Sequence, residues 1–514
     1  MNNFMNSIDK TLNGDTKFNV SVTENGAIGY RTSGKNLLDL NFKVSSLRNA
    51  SEENVIKAFK LAFFEDKELA LKWIFYARDV RGGLGERRLF RLVMHYLIKE
   101  YPEYAKKFLS YIPEYGRYDD LVDVIFDSDG DIDVPSDIVD IVKDIITKQL
   151  RQDITNMNKN NSISLLAKWL PSENASSIVT KRKAKNIINM LGLNERAYRK
   201  TLSKLRKYID IVEAKMSAKE WADIKYENVP SRANLIYNNA FLRNDEARRR
   251  EFLSKLERGE AKINATTLYP HDIVHKYTVY DFWHGYRTKP LDKTLEALWK
   301  ALPENEIENT MVVADGSGSM NCRLSNTTVT AHDVSNALAI YFAEHSKGGF
   351  KDTFITFGHR PRLLNLSKAN SLKEKIDITL SNTDYSDTNI EAVFDLILTT
   401  ALDNNMTQDD MPKNILIISD MEFNGARFNF DKRLFKVIEE KFNANGYKLP
   451  RLIFWNVCGR TNTIPVIEND LGVALVSGFS TNIAKMIMSG ETDPYKCLLE
   501  VLMSERYSSI TIKE

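Results

Sequence analysis

From about residue 310 the chain alternates short apolar runs with stretches at helical spacing, and this alternation leaves that part of it few folds to choose from. The runs 310–314, 353–357, 415–419, 452–457 and 473–477 are rich in β-branched residues and carry no charge, as strands buried on both faces require. Between and after them, 331–346, 388–403, 430–443, 482–488 and 493–503 read as helices. Strand–helix alternation of this kind predicts a doubly wound α/β sheet with helices on both faces. Ligands of such sheets lie beyond the carboxyl ends of the strands. Two acids, Asp315 and Asp420, each close an apolar run at that edge.

The preceding part follows a different pattern. Ser51 can cap a helix whose first turn holds Glu52 and Glu53, and Val55, Ala58, Phe59 and Ala62 recur at helical spacing. Further helical patterns cover 67–78, 86–99, 104–111, 119–126, 136–150, 162–169, 177–191, 195–213, 217–224, 231–243 and 245–258, without a clear strand pattern among them. Helix pairs with no fixed repeat period predict an irregular, HEAT-like array. At 514 residues the chain exceeds one ordinary core. The expected division is an irregular arm at 1–24, a helical domain at 25–290 and an α/β domain at 305–505.

Three segments carry oxygen chemistry. Asp315-Gly316-Ser317-Gly318-Ser319 follows the first strand, Asp387-Thr388-Asn389-Ile390-Glu391 opens a helix, and Ile418-Ser419-Asp420-Met421-Glu422 ends the third strand. Carboxylates mixed with hydroxyls suit a hard divalent cation that keeps part of its water shell. The first segment alone is equally compatible with a turn that caps a helix. Taken together, the three resemble the metal-ion-dependent adhesion site of a von Willebrand factor A domain. The resemblance implies Mg²⁺ held directly by Ser317, Ser319 and Thr388, with Asp315 and Asp420 beside it or bridging through water. Asn389 stands where that family has an acid, and Thr383-Asp384 offers a rival threonine.

In the helical part, Trp73-Ile74-Phe75-Tyr76-Ala77-Arg78-Asp79 precedes Gly82-Gly83-Leu84-Gly85-Glu86-Arg87, and Tyr115-Gly116-Arg117-Tyr118-Asp119-Asp120-Leu121 follows. With Leu166-Ala167-Lys168-Trp169-Leu170-Pro171-Ser172-Glu173 and Ala261-Lys262-Ile263-Asn264, these resemble a helical family similar to the TROVE module of the Ro ribonucleoprotein. That resemblance implies a ring of helical repeats closed by the A domain, which binds small structured RNAs on a basic face and threads single-stranded ends through the hole.

Charge is unevenly spread. The net is only +2, but the first three hundred residues carry an excess of basic side chains and the remainder an excess of acidic ones. Ten aspartates crowd between Asp119 and Asp144, and a basic stretch follows. Lys181, Arg182, Lys183 and Lys185 open one helix, while Arg199 and Arg206 share a face of the next, with Tyr198 and Tyr208 interleaved. Arginine with aromatics serves phosphate contact and base stacking; a solvated basic face is the plain alternative. Gly82 to Arg88 can cradle a phosphate or form a tight helix–helix turn. His271 and His275 lack the glutamate of a zincin helix, and the 127–133 loop lacks the closing acid of a calcium loop.

Three separated cysteines argue for a reducing compartment. No apolar run is long enough for a membrane span, and the N-terminal residues lack the apolar core of a signal; the expected location is cytoplasmic. The expectation is a non-catalytic, Ro-like RNA-binding protein with a Mg²⁺ site. The alternative is an adaptor that captures an acidic protein ligand through the metal, without RNA. A metal-dependent nuclease is the weakest reading, because the site lacks the carboxylate cluster of two-metal enzymes.

Overall fold

The computed structural model describes residues 19–281, 285–324, 327–429, 431–484 and 491–512. Most of the expected 1–24 arm and of the expected 482–488 helix lies outside these residues. Contacts divide the chain into two compact units, one formed by 1–70 with 265–506 and the other by 71–264 with 507–514. The division falls elsewhere than the expected boundaries. Residues 25–70 and 265–290, read as helical-domain sequence, group with the α/β unit.

In the first unit, β1 (Ser21–Val22) pairs with β2 (Ile28–Gly29), and β3 (Thr278–Asp281) with β4 (Gly285–Thr288), both antiparallel. The main sheet contains β5 (Thr310–Asp315), β6 (Thr353–Phe357), β7 (Arg362–Asn365), β8 (Asn414–Ser419), β9 (Arg451–Asn456) and β10 (Val473–Ser477). Its order is β10-β9-β8-β5-β6-β7, parallel throughout except for β7 against β6. The chain leaves β5 towards β6 on one side and later returns to β8 on the other. Adjacent β5 and β8 therefore flank the point where strand order reverses, which is where such sheets bind ligands.

The helix Ala331–His345 is buried on every face from Ala331 to Ala343 and packs against β5, β6 and β8. Thr330 caps it in a reciprocal pair with Asp333. β7 was not legible as a strand: it is an edge strand of which only Leu364 is buried.

Residues 19–47 strap the first unit because their own apolar side chains need cover. Leu37, Leu38, Leu40 and Phe42 of the helix Asn36–Phe42 are buried. Tyr30 and Ile464 exchange backbone hydrogen bonds of 2.8 and 2.9 Å. Asn456 donates to the Phe42 carbonyl at 3.0 Å. The strap lies so close at Gly29 that a Cβ there would sit 2.6 Å from the Ile464 carbonyl oxygen.

The second unit is helical. Its longer elements are Arg87–Glu100, Ser136–Asn158, Ile178–Met190, Glu195–Ile209, Ser231–Asn244 and Glu246–Glu257. Tyr198, Leu202 and Leu205 form the buried stripe of Glu195–Ile209, which ends where Asp210 turns left-handed at φ 61°. The expected helix at 217–224 is replaced by Val212–Ala218 and a 3₁₀ turn at Trp221–Asp223, because Lys219 turns left-handed between them.

The glycine stretch is a turn. Asp79 O accepts from the amides of Gly83 and Gly85, both at 3.2 Å, so these donors are spent internally. A Cβ at Gly83 would lie 1.9 Å from Tyr76 O. Beside it, buried Asp120 accepts from Arg78 at 2.6 Å and from Arg91 at 2.7 Å. These contacts account for much of the Arg-Asp and Asp-Asp pattern in structural terms. Among the described residues, no helix is long and apolar enough to cross a membrane.

Candidate metal centre

Register brings the two acids together. Ala314 of β5 pairs with Ile418 of β8, so Asp315 and Asp420 leave adjacent strands at the same edge. Both are fully buried. Asp315 Oδ1 accepts the Ser317 amide at 2.9 Å, and Oδ2 accepts the Ser419 hydroxyl at 2.5 Å. Ser317 Oγ and Ser319 Oγ lie 3.0 Å apart.

Two buried carboxylates facing one another resist ionising together. Burial, then the charge of Asp420, pushes Asp315 up to about 7. Burial also raises Asp420, opposed by the charge of Arg460. Met421, between Asp420 and Glu422, is left-handed at φ 66° and buried. A non-glycine residue held there marks a locally over-determined loop.

Thr388 is buried, and its loop is docked from two sides. Asn424 N donates to Thr388 O at 3.1 Å. Tyr385 O approaches Gly318 so closely that a Cβ there would lie 2.9 Å away. Thr383 donates its hydroxyl to Thr379 O instead. Asn389 is not a spare ligand, since its side chain caps the helix Ile390–Asp403 through the Ala392 amide.

Several residues of this centre were not foreseen. Arg460 donates to Asp420 Oδ2 at 3.0 Å and grips Glu24 at 2.9 and 2.7 Å. Glu422 is fully buried and accepts from the amides of Glu24, Arg460 and Thr461 at 2.9, 2.8 and 2.8 Å. Asn25 donates to Glu422 O at 2.6 Å and, more weakly, to Thr388 Oγ1 at 3.4 Å. The acid pair Asp420-x-Glu422 closing a strand was a visible signal; the strap that serves it was not. None of the three cysteines forms a disulfide, and Cys322 and Cys458, distant in sequence, lie near one another beside this centre.

Among the described residues, no group of three or more His, Cys, Asp or Glu side chains is placed to hold a metal ion. A cation at this edge would therefore lean on Ser317, Ser319 and Thr388 as much as on the carboxylates.

The six basic residues expected to meet RNA lie in the second unit. Arg182 pairs with Asp131 at 3.2 Å, and Lys183 with Asp123 at 2.8 Å. Arg199 pairs with Glu173. Arg206 binds the carbonyls of Ala167 and Leu170 and the Ser172 hydroxyl, fixing the turn at 170–172. Lys181 and Lys185 are exposed.

A family model described as a domain of unknown function (DUF2828) matches residues 23–115 and 137–310, more than half of the chain. The chain belongs to this family. A second model, also a domain of unknown function (DUF7788), matches residues 309–505. An uncharacterized protein of Acanthamoeba polyphaga mimivirus is 30% identical over 520 residues, covering 94% of this chain and 87% of that protein. These matches correct the expected kinship: the models found are neither TROVE nor von Willebrand A models, and the Ro-like assignment is withdrawn. The DUF2828 match runs through both compact units, since it includes the strap at 23–47 as well as the helices of 71–264.

Proposed function

We propose that this chain is a divalent-cation-dependent binding protein whose cation sits at the β5–β8 edge and takes an anionic oxygen from a partner. Ser317, Ser319 and Thr388 would supply hydroxyl ligands, with Asp315 and Asp420 balancing the charge. The observation that carries this reading is the buried Asp315–Asp420 pair, each carboxylate raised by burial and flanked by serine hydroxyls. Such a pair is costly without a positive charge between its members, and hard oxygen donors suit Mg²⁺ or a similar ion. Two carboxylates and three hydroxyls would leave one position of a six-coordinate ion open to an incoming anionic oxygen. This is binding chemistry for one ion and lacks the paired carboxylate clamps of two-metal hydrolysis.

The test is Mn²⁺ binding, read by electron paramagnetic resonance on the full chain. The native protein is expected to bind one ion, with affinity falling at least tenfold in Ser317→Ala and in Asp420→Asn. Equal binding in native and variant chains would remove the site.

A further inference from the structure

The loop 383–388 reaches two further features besides Thr388. On one flank is a groove of about 720 Å³ lined by His359, Arg360, Arg362, Ser386 and Asp387, among others. Its acids are already engaged. Asp384 accepts from the hydroxyl and amide of Ser386 at 2.5 and 3.1 Å and from the His359 amide at 3.1 Å. Asp387 accepts the Thr388 amide at 2.9 Å and the side chain of Asn424, and faces His359 at 3.6 Å. The cations are less engaged. Arg362 places one N–H on Asn382 O at 3.4 Å, and the Arg360 guanidinium has no partner among the described residues. Free guanidinium donors beside a cation site favour phosphate, which they meet in a fork.

On the other flank is an aromatic platform. Tyr385 stacks on Tyr286, with centroids 6.0 Å apart and planes 19° apart, and Tyr280 meets Tyr286 edge-on at 5.1 Å. His332, buried beneath, touches both Tyr286 and Tyr385. Tyr286 OH donates to Asn321 at 2.8 Å, tying the platform to the serine loop. Tyr280 is 63% exposed and Tyr385 38%, unusual for rings held this firmly from below. Exposed aromatics on a rigid base are what unstacked bases bind.

Resting on the cation-dependent reading above, we propose that the anionic partner is a single strand of nucleic acid. One phosphate would lie in the Arg360–Arg362 groove, a neighbouring phosphate oxygen would meet the cation, and bases would stack on Tyr280 and Tyr385. The loop 383–388 explains the combination, because Tyr385, Ser386 and Thr388 present base, phosphate and cation contacts within four residues. This places the nucleic-acid surface on the α/β unit.

Fluorescence anisotropy of a labelled 20-mer oligouridylate with the full chain tests this, with Mn²⁺ binding measured on each protein. The double variant Arg360→Glu/Arg362→Glu is expected to lose tenfold or more in oligonucleotide affinity, and Tyr280→Ala/Tyr385→Ala roughly tenfold. EDTA should weaken the native complex. None of the four positions supplies a cation ligand, so both variants should still bind Mn²⁺. Oligonucleotide affinity unmoved by either variant would overturn the proposal. So would a glutamate-rich peptide binding as tightly as the oligonucleotide, or no oligonucleotide binding by a native chain that binds Mn²⁺. Loss of Mn²⁺ binding in the native chain would instead overturn the cation site and this proposal with it.

Discussion

Arg460 holds Asp420 with one edge of its guanidinium and Glu24 with the other. A fixed positive charge thus balances one of the two central carboxylates, and a divalent ion entering the centre must share Asp420 with it. Arg460→Met keeps the bulk and removes the charge. The uncompensated carboxylate should cost about 1–3 kcal/mol, less than for a fully buried pair because Arg460 is partly exposed. Melting in EDTA should therefore fall by several degrees, and Mg²⁺ should restore more of it than it adds to the native chain. Equal melting with and without Mg²⁺ in this variant would contradict the picture.

Acid and base titrations oppose each other in the ion-free protein. Asp315 is raised by burial to about 7, so the folded state holds its proton while the unfolded chain releases it; this contribution weakens stability as pH rises from about 4 to 7. His332 is lowered by burial to about 4, so the unfolded chain takes up a proton that the folded state refuses; this contribution weakens stability as pH falls from about 6.5 to 4. The two largely offset one another. Relative to the native curve, Asp315→Asn should make stability rise more steeply between pH 4 and 6.5, and His332→Gln should make it fall more steeply between pH 4 and 7. Urea unfolding in EDTA across that range separates them.

In the helical unit, Asp120 answers both Arg78 and Arg91 while fully buried. Asp120→Ala leaves the buried Arg78 charge without this partner, at a cost of about 3–5 kcal/mol. Chemical denaturation should show that loss, whereas Asp131→Ala, at an exposed pair with Arg182, should change stability by about 1 kcal/mol or less.

The strap should be sensitive at one backbone position. Gly29→Ala forces a methyl towards the Ile464 carbonyl, 2.6 Å away, and overpacking of this kind costs about 1–3 kcal/mol. Limited proteolysis should then cut within residues 19–35 faster than in the native chain.

The strands of the α/β unit were legible because burial on both faces leaves uninterrupted apolar runs, and Val473–Ser477 falls where those residues placed it. The edge acids were legible for the same reason: a carboxylate that ends such a run stands at a predictable height. The strap was not, since nothing local marks Leu37 to Phe42 as a buried helix covered by Glu52–Glu65 and β10. The partners of the basic helix were hidden in a similar way. Lys183 and Arg182 find their acids 60 and 51 residues back along the chain, a distance over which pattern carries no information. Arg460 follows a buried strand without any motif, and only the packed structure shows it between Glu24 and Asp420.

The strap also sets an order of events during synthesis. Glu24 and Glu422, which share a hydrogen bond, are 398 residues apart. At roughly 5–20 residues per second, Glu24 leaves the ribosome tens of seconds before its partner exists. The strap must wait, open to chaperones, until the 398 residues that separate it from Glu422 have been made, and the centre it completes cannot assemble before then.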